Sequence, residues 1–111
     1  MTFIVKPFDT YQIKYLSFTD NSGNSRVYAA ISCYNGSQYV GVLWFLDTYP
    51  IADQNIVRKD GLKIIYHTRH FNDVVGILRY EKPLRLEFDT DKKEGSLLTA
   101  TWEPAGEQEG V

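Results

Sequence analysis

The sequence predicts an α+β domain in which about six mainly antiparallel strands form one curled sheet or partly open barrel, with one helix before the last hairpin. Three observations support this fold class. Most of the chain consists of short apolar runs of period two, separated by turn-forming residues. Residues 68–81 change to a helical period. At 111 residues, 43% of them hydrophobic, the chain can build one core but not two ordinary domains.

The first strands are predicted near the N-terminus. Residues 3–5 predict a short edge strand that ends at Pro7, because proline cannot donate to a β-ladder. Residues 11–19 alternate aromatic or apolar side chains with polar ones, and the polar cluster at residues 20–24 predicts a turn. Together with the two strands that follow, this run predicts a three-stranded meander.

The pair Asn35-Gly36 lies between two long β-rich runs and predicts a hairpin, because both residues tolerate the positive φ angles of a type I′ turn. With this turn, residue 34 lies opposite residue 37, and Ile31 lies opposite Val40. The face predicted for the core then carries Val27, Ala29, Ile31, Cys33, Val40, Val42 and Trp44.

The reverse face of the same ribbon is also apolar, which raises the question of what covers it. Six strands spaced about 4.8 Å apart span about 29 Å, whereas a helix about 10 Å across covers a third of that width. Either a second copy of the chain or the helix of the same chain covers the apolar reverse face of the ribbon. We expect the first, a homodimer, because a large exposed apolar patch favours association. The predicted interface consists of Tyr28, Tyr39, Leu43 and Phe45.

Residues 47–60 show no sustained period and predict a connecting loop, either packed by its own apolar side chains or closing a pocket. Residues 61–67 then alternate as a strand.

The helix over 68–81 has Thr68 as its predicted N-cap and Pro83 beyond its end. Gly76 lowers helix propensity, unless it allows close packing on a sheet. The apolar stripe of the helix consists of Phe71, Val74, Val75 and Leu78.

A second hairpin completes the predicted domain. Residues 84–88 and 97–102 alternate around a polar turn at residues 89–95. Residues 103–111 contain three glutamates, two glycines and a proline with almost no apolar content, which predicts a flexible acidic tail. We therefore expect a single domain over residues 1–102.

The formal net charge of −2 argues against a dedicated duplex-DNA binder. The charge is nevertheless uneven: residues 58–85 carry seven Lys/Arg and three Asp/Glu, and residues 86–111 carry two and seven. Such an asymmetry arises by chance or marks a surface that selects anions. An anionic ligand would meet the unpaired backbone N–H groups at the start of the helix. The candidate anion-binding residues are Thr68, Arg69, His70, Lys63 and Arg85.

The many aromatic side chains allow a related alternative, in which single-stranded nucleic acid stacks on exposed rings beside the basic 58–85 region. The acidic balance of the whole chain opposes it, because phosphate attraction supplies most non-specific affinity. The competing interpretation is that these rings fill the core.

Catalytic and metal-binding signatures are weak. His67 and His70 have an H-x-x-H spacing, but no nearby cysteine or glutamate completes a familiar zinc site, so we expect neither a metal nor a cofactor. No nucleophile elbow, C-x-x-C pair or phosphate-binding glycine loop occurs. The sequence thus favours a non-catalytic binding domain, with a second copy or another protein as partner; a small enzyme is the less favoured alternative.

Cellular location follows from two further features. Cys33 is the only cysteine, so no intramolecular disulfide can form and a reducing compartment is expected. The chain contains no run of about 20 apolar residues and no basic segment followed by an apolar run at its start. We therefore expect a cytoplasmic protein that does not enter the membrane.

Overall fold

The computed structural model describes residues 3–15, 27–47 and 55–100, which form two β-sheets and one helix. The predicted α+β class with mainly antiparallel strands is confirmed. The strands, however, are divided between two sheets, and over the described ranges they do not close into a barrel. The elements are β1 (Phe3–Phe8), β2 (Thr10–Tyr15), β3 (Val27–Asn35), β4 (Gln38–Leu46), β5 (Ile56–Arg58), β6 (Gly61–His67), a 3₁₀ turn (Thr68–His70), α1 (Phe71–Tyr80), β7 (Leu84–Asp89) and β8 (Glu94–Thr99).

The smaller sheet has the strand order β1-β7-β8 and is antiparallel throughout. Its first strand continues through Pro7 to Phe8, so the prediction that Pro7 ends the strand is wrong. β1 is an edge strand, and a proline there removes an N–H group that need not join a ladder. The chain passes at Asp9 from this sheet into β2 of the other.

The larger sheet has the order β2-β3-β4-β6-β5, with β4 and β6 parallel and the other neighbours antiparallel. Parallel neighbours need a long crossover connection, which residues 47–60 provide. Within that stretch Ile56–Arg58 forms β5, so the prediction of a loop without structure is wrong there. Residues 48–54 lie outside the described part of the chain.

The β3–β4 hairpin is present, but its register differs from the predicted one. Asn35 pairs with Gln38, so the turn consists of Gly36 and Ser37. The φ angle of Gly36 is 63°, and a left-handed residue at the first turn position suits a type II′ turn. The turn is thus displaced by one residue from the predicted Asn35-Gly36 pair.

A β-bulge between Cys33 and Tyr34 shifts the register again, so that Ile31 pairs with Leu43 rather than Val40. Because strand side chains alternate between faces, an odd shift moves residues of one strand to the opposite face. Leu43 and Phe45 therefore point into the core beside Ala29 and Ile31, all fully buried. The predicted assignment of these two β4 residues to the outer face is wrong.

One apolar core lies between the two sheets and the helix. The larger sheet, α1 and β7 supply side chains to the same cluster. The sheets approach so closely that a Cβ atom on Gly95 would lie 2.6 Å from Ile64 Cγ1, and one on Gly41 would lie 2.8 Å from Leu86 Cδ1. The core consists of Phe8, Ala29, Ile31, Cys33, Val40, Leu43, Phe45, Leu62, Ile64, Phe71, Val74, Val75, Leu78, Leu84, Leu86 and Phe88.

The helical segment is confirmed, as is its buried apolar stripe. Its start differs from the prediction: the Nδ1 atom of His67, rather than the hydroxyl of Thr68, accepts the N–H of Arg69 at 3.1 Å. His67 is extended and precedes the first turn, which is the position of a capping residue. A Cβ atom on Gly76 would meet nothing within 4 Å, so this glycine does not serve close packing.

Polar side chains complete the backbone pairing where the strands end. The N–H of Ile65, beyond the reach of β5, donates to Asn55 Oδ1 at 2.7 Å, and Asn55 Nδ2 donates to the carbonyl of Lys93 at 3.1 Å. In the β7–β8 turn, Asp89 Oδ1 accepts the N–H groups of Asp91 and Lys92.

The predicted acidic tail, residues 103–111, lies outside the described residues. In the described part, no helix is long and apolar enough to cross a membrane.

Candidate functional site

The structure does not bring the four predicted interface residues together. Leu43 and Phe45 are fully buried in the core of the single chain. Tyr28 and Tyr39 remain partly exposed, but Tyr39 pairs across the hairpin with Tyr34, six positions from Tyr28 along β3. That separation is about 20 Å in an extended strand. Self-association remains a prediction, and it requires a surface other than this set.

Tyr28 belongs instead to an aromatic patch at the start of the helix. Its ring lies 5.4 Å from that of Tyr15 and 6.3 Å from that of Phe71, measured between centroids, and Tyr15 lies 5.0 Å from Phe71. Phe71 in turn contacts Phe45 at 5.1 Å. Within the chain, the helix therefore covers Phe45 through Phe71, while Tyr15 and Tyr28 stay exposed.

Three of the candidate anion-binding residues lie together in the 3₁₀ turn. Arg69 and His70 are exposed there, and Arg69 Nε donates to His70 Nε2 at 3.4 Å. One backbone N–H group of this turn, that of Arg69, already donates to the imidazole of His67. The turn therefore presents fewer free N–H groups than an uncapped helix start.

The other two candidates lie elsewhere. Lys63 is buried on β6, on the face opposite the core, with Nζ 4.1 Å from the centroid of the Trp44 ring. Arg85 alternates with core residues of β7 and forms an ion pair with Glu87 at 2.6 Å. Because the two sheets pack core to core, these two cations project from opposite outer faces. They do not complete one anion site with the 3₁₀ turn.

A cleft of about 620 Å³ lies at the other end of α1, between the helix end and the corner where β1 passes into β2. Its volume is within the range of about 300–1,000 Å³ that small-molecule sites occupy. Its walls combine three aromatic rings, three aliphatic side chains and four charged residues. The lining residues are Phe8, Asp9, Tyr11, Leu78, Arg79, Tyr80, Glu81, Lys82, Pro83 and Leu84.

The helix end and a strand pair fix the position of this cleft. α1 stops before Glu81, whose backbone is extended, and Pro83 two residues later prevents helical continuation. The chain then enters β7 at Leu84, which pairs with Phe8 of β1. Both side chains are buried, so the floor of the cleft is continuous with the core.

Hydrogen bonds hold the opposite wall. The N–H of Asp9 donates to the carbonyl of Tyr34 at 2.9 Å, and Asp9 Oδ1 accepts the N–H of Gly36 at 3.0 Å. Tyr11 follows on β2 and packs against the core opposite Cys33. This wall is tied to the β3–β4 hairpin by backbone contacts and does not depend on side-chain packing alone.

The polar groups of the cleft differ in their access to water. Glu81 Oε2 is shielded from solvent and accepts no hydrogen bond within the described part of the chain. Arg79 and Lys82 are exposed at the rim. A buried carboxyl oxygen without a donor is unfavourable by about 1–3 kcal/mol, so this group marks a position where a donor would be stabilised.

Sequence reasoning missed this cleft, since it placed a pocket at residues 47–60 and an anion site at the start of the helix. Glu81, Lys82 and Pro83 marked the end of the helix in the sequence. The pairing of Phe8 with Leu84, which forms the floor, joins residues 76 positions apart and leaves no local signal.

The described residues offer little for nucleophilic or metal chemistry. They contain no group of three or more His, Cys, Asp or Glu residues that could hold a metal ion. Burial raises the pKa of the Cys33 thiol from 9.0 to about 12, so the thiolate required of a nucleophile is scarce at neutral pH. No protein-family model, curated protein or solved structure matches this chain. The cleft is therefore the feature of the described residues that best indicates a function.

The buried thiol predicts a loss of stability in alkali. The unfolded chain ionises Cys33 above about pH 9, whereas the folded chain keeps it neutral to about pH 12. The free energy of unfolding is therefore expected to fall above pH 9, with a contribution from this thiol of up to about 1.4 kcal/mol per pH unit. Burial raises the pKa of Tyr66 as well, so ionisation of this tyrosine in the unfolded chain adds to the loss of stability at higher pH.

Urea unfolding from about pH 8 to about pH 10.5 measures this effect. The variant Cys33→Ala, compared with the wild type, isolates the thiol, and its stability should fall less steeply with pH even though it starts lower. Parallel pH profiles of the two proteins would contradict the prediction.

Proposed function

We propose that this domain acts by binding a small organic molecule, without catalysing a reaction, in the cleft between the end of α1 and the β1–β2 corner. The observation that carries the proposal is the cleft itself, of about 620 Å³ and lined mainly by aromatic and aliphatic side chains with a few polar groups. Small-molecule sites have this composition, because apolar walls supply affinity and a few polar groups supply orientation.

The frame of the cleft supports binding by a preformed site. Phe8 and Leu84 are neighbours on paired strands, and two hydrogen bonds fix Asp9 to the β3–β4 hairpin. A site built on strands and a helix end needs little rearrangement to admit a ligand, which lowers the entropic cost of binding. The exposed ring of Tyr80, at the rim, supplies an aromatic contact.

Amide NMR spectra of the isotope-labelled chain, titrated with phenethyl alcohol, phenethylamine and phenylacetate, test the proposal. At least one fragment is expected to shift the amide signals of residues 8–11 and 78–84 saturably. Tyr80→Ala should weaken the binding of that fragment by about twofold to tenfold, since the loss of an aromatic contact removes about 0.5–1.5 kcal/mol. Because Tyr80 is 58% exposed, the variant should fold normally.

Tyr15→Ala is the matched control, since Tyr15 is 59% exposed but lies in the aromatic patch at the start of the helix. It should leave fragment affinity unchanged. Absence of saturable shifts in the cleft with all three fragments would reject the proposed function.

A second candidate function, the binding of single-stranded nucleic acid, is favoured by the aromatic patch. Tyr15 and Tyr28 are exposed, and the rings of both lie near that of Phe71, which follows the exposed Arg69 and His70 in the chain. Exposed rings beside a cation are the elements that bind unpaired bases. The same two variants separate the candidates, because affinity for a short oligothymidylate at low salt should fall in Tyr15→Ala and stay unchanged in Tyr80→Ala.

The cytoplasm as the place of action and the homodimer as the functional unit are parts of the same proposal. The lone thiol of Cys33 is buried, which suits a protein that makes no disulfide. Phe3 and Val5 are exposed on the edge strand β1 and offer apolar area for a second copy.

A further inference from the structure

We infer that the ligand of the cleft carries a positively charged nitrogen, as in an amine or a guanidine, on an apolar body. This inference rests on the proposed function and specifies the class of ligand. It is carried by the carboxyl group of Glu81, the end of α1 and the aromatic walls.

Glu81 is the polar group of the cleft most in need of a partner. Its Oε2 atom is buried, and none of the described residues donates a hydrogen bond to it. The last torsion of a glutamate side chain is soft, so the carboxyl group can turn toward a donor within the cleft. A charged N–H donor suits a carboxylate better than a neutral one, because charge-assisted hydrogen bonds are about twice as strong.

The end of the helix adds to this preference. The cleft is lined by Leu78, Arg79 and Tyr80, the last three residues of α1. The final carbonyl groups of a helix carry a partial negative charge, which attracts cations within about one turn. A cation bound between Glu81 and the helix end is therefore attracted by both.

Arg79 and Lys82 oppose a cation, but their position limits the effect. Both side chains are exposed at the rim, where water and salt screen their charges. The Oε2 atom of Glu81 is shielded from water, so its charge is screened less than the charges of Arg79 and Lys82. Glu81 is therefore expected to determine the charge that the cleft selects, and the two basic side chains to affect the rate at which a ligand enters.

The aromatic walls accept the same ligand. Phe8, Tyr11 and Tyr80 line the cleft, and the face of an aromatic ring attracts a nearby cation in addition to packing against apolar groups. An amine on an apolar body can pair with Glu81 and pack against the aromatic walls, whereas an anion would be attracted only by Arg79 and Lys82 at the rim.

Fragments that differ only in their head group test the inference. Dissociation constants of phenethylamine, phenethyl alcohol and phenylacetate are measured by NMR titration of the full chain. Phenethylamine is expected to bind about tenfold more tightly than the alcohol and more tightly still than the acid, which is the effect of one charge-assisted hydrogen bond. In Glu81→Gln, phenethylamine should lose about tenfold in affinity and phenethyl alcohol less than twofold.

Glu94→Gln is the matched control, because it removes the same charge from the first residue of β8, opposite Asp89 and at the far end of β7 from the cleft. It should leave the preference for phenethylamine unchanged, and amide spectra report whether each variant is folded. Equal affinity for amine and alcohol, tighter binding of phenylacetate, or an equal loss in both variants would overturn the inference while leaving the cleft as a binding site. Absence of any cleft binding would overturn both the inference and the proposed function.

Discussion

Leu43→Asp is expected to abolish folding of the domain. Leu43 lies in the middle of β4, fully buried, with Ile31 and Ile64 as its neighbours on the adjacent strands. Truncation of a buried leucine alone costs about 2–5 kcal/mol, and a carboxylate without a partner in this position adds further cost. The total is comparable with the whole stability of an ordinary domain, about 5–15 kcal/mol.

Far-UV circular dichroism and light scattering measure this outcome together. The spectrum of Leu43→Asp should lack the sheet signal of the wild type, and the protein should not behave as a compact 12.8 kDa monomer. Val57→Asp is the matched control, since Val57 is also a strand residue but is exposed on β5, and its stability should change by less than about 0.5 kcal/mol. A folded, monomeric Leu43→Asp protein would place Leu43 at the surface and restore it to the predicted interface.

Gly61→Ala is expected to destabilise the domain by about 2–3 kcal/mol. Gly61 is the first residue of β6 and lies against β4, where an added Cβ atom would be 2.6 Å from the carbonyl oxygen of Val40 and 3.1 Å from the backbone nitrogen of Gly41. These are backbone atoms within a sheet, so they cannot move aside as the end of a flexible side chain can. The parallel pairing of β4 and β6 must shift to admit one methyl group.

The same substitution elsewhere should have the opposite effect. A Cβ atom on Gly76, in the middle of α1, would meet nothing within 4 Å, so Gly76→Ala should gain about 0.5–1 kcal/mol from helix propensity. Chemical unfolding of the two variants beside the wild type measures both changes. If Gly61→Ala were as stable as the wild type, the close approach of β6 to β4 would be contradicted.

Local patterns in the sequence predicted elements well. The apolar stripe from Phe71 to Leu78 identified the helix, because burial of one helix face requires that spacing. Alternation likewise identified β6 and β7 and the inward side of β2 at Tyr11 and Ile13. These patterns each lie within one short segment, so they can be recognised without knowledge of the segments that the side chains pack against.

Register and sheet membership were harder to predict. A glycine in a hairpin turn can occupy either turn position, and a bulge at Cys33 adds a second displacement, so one face of β4 was assigned incorrectly. Nothing local distinguishes the two registers when both faces of β4 are apolar. The cleft depends on residues that lie even farther apart in the chain. The pairing of Phe8 with Leu84 forms its floor, and Glu81 lines the cleft beside that pair.

By itself the sequence determined the fold class, the helix and most strands, because side-chain periodicity and turn residues act over a few positions. Only the tertiary structure decided which strands are neighbours, which face of the β3–β4 hairpin is buried and where a cleft remains open. The physical reason is that these features arise from packing between segments far apart in the chain, and the hydrophobic effect that drives such packing is not directional.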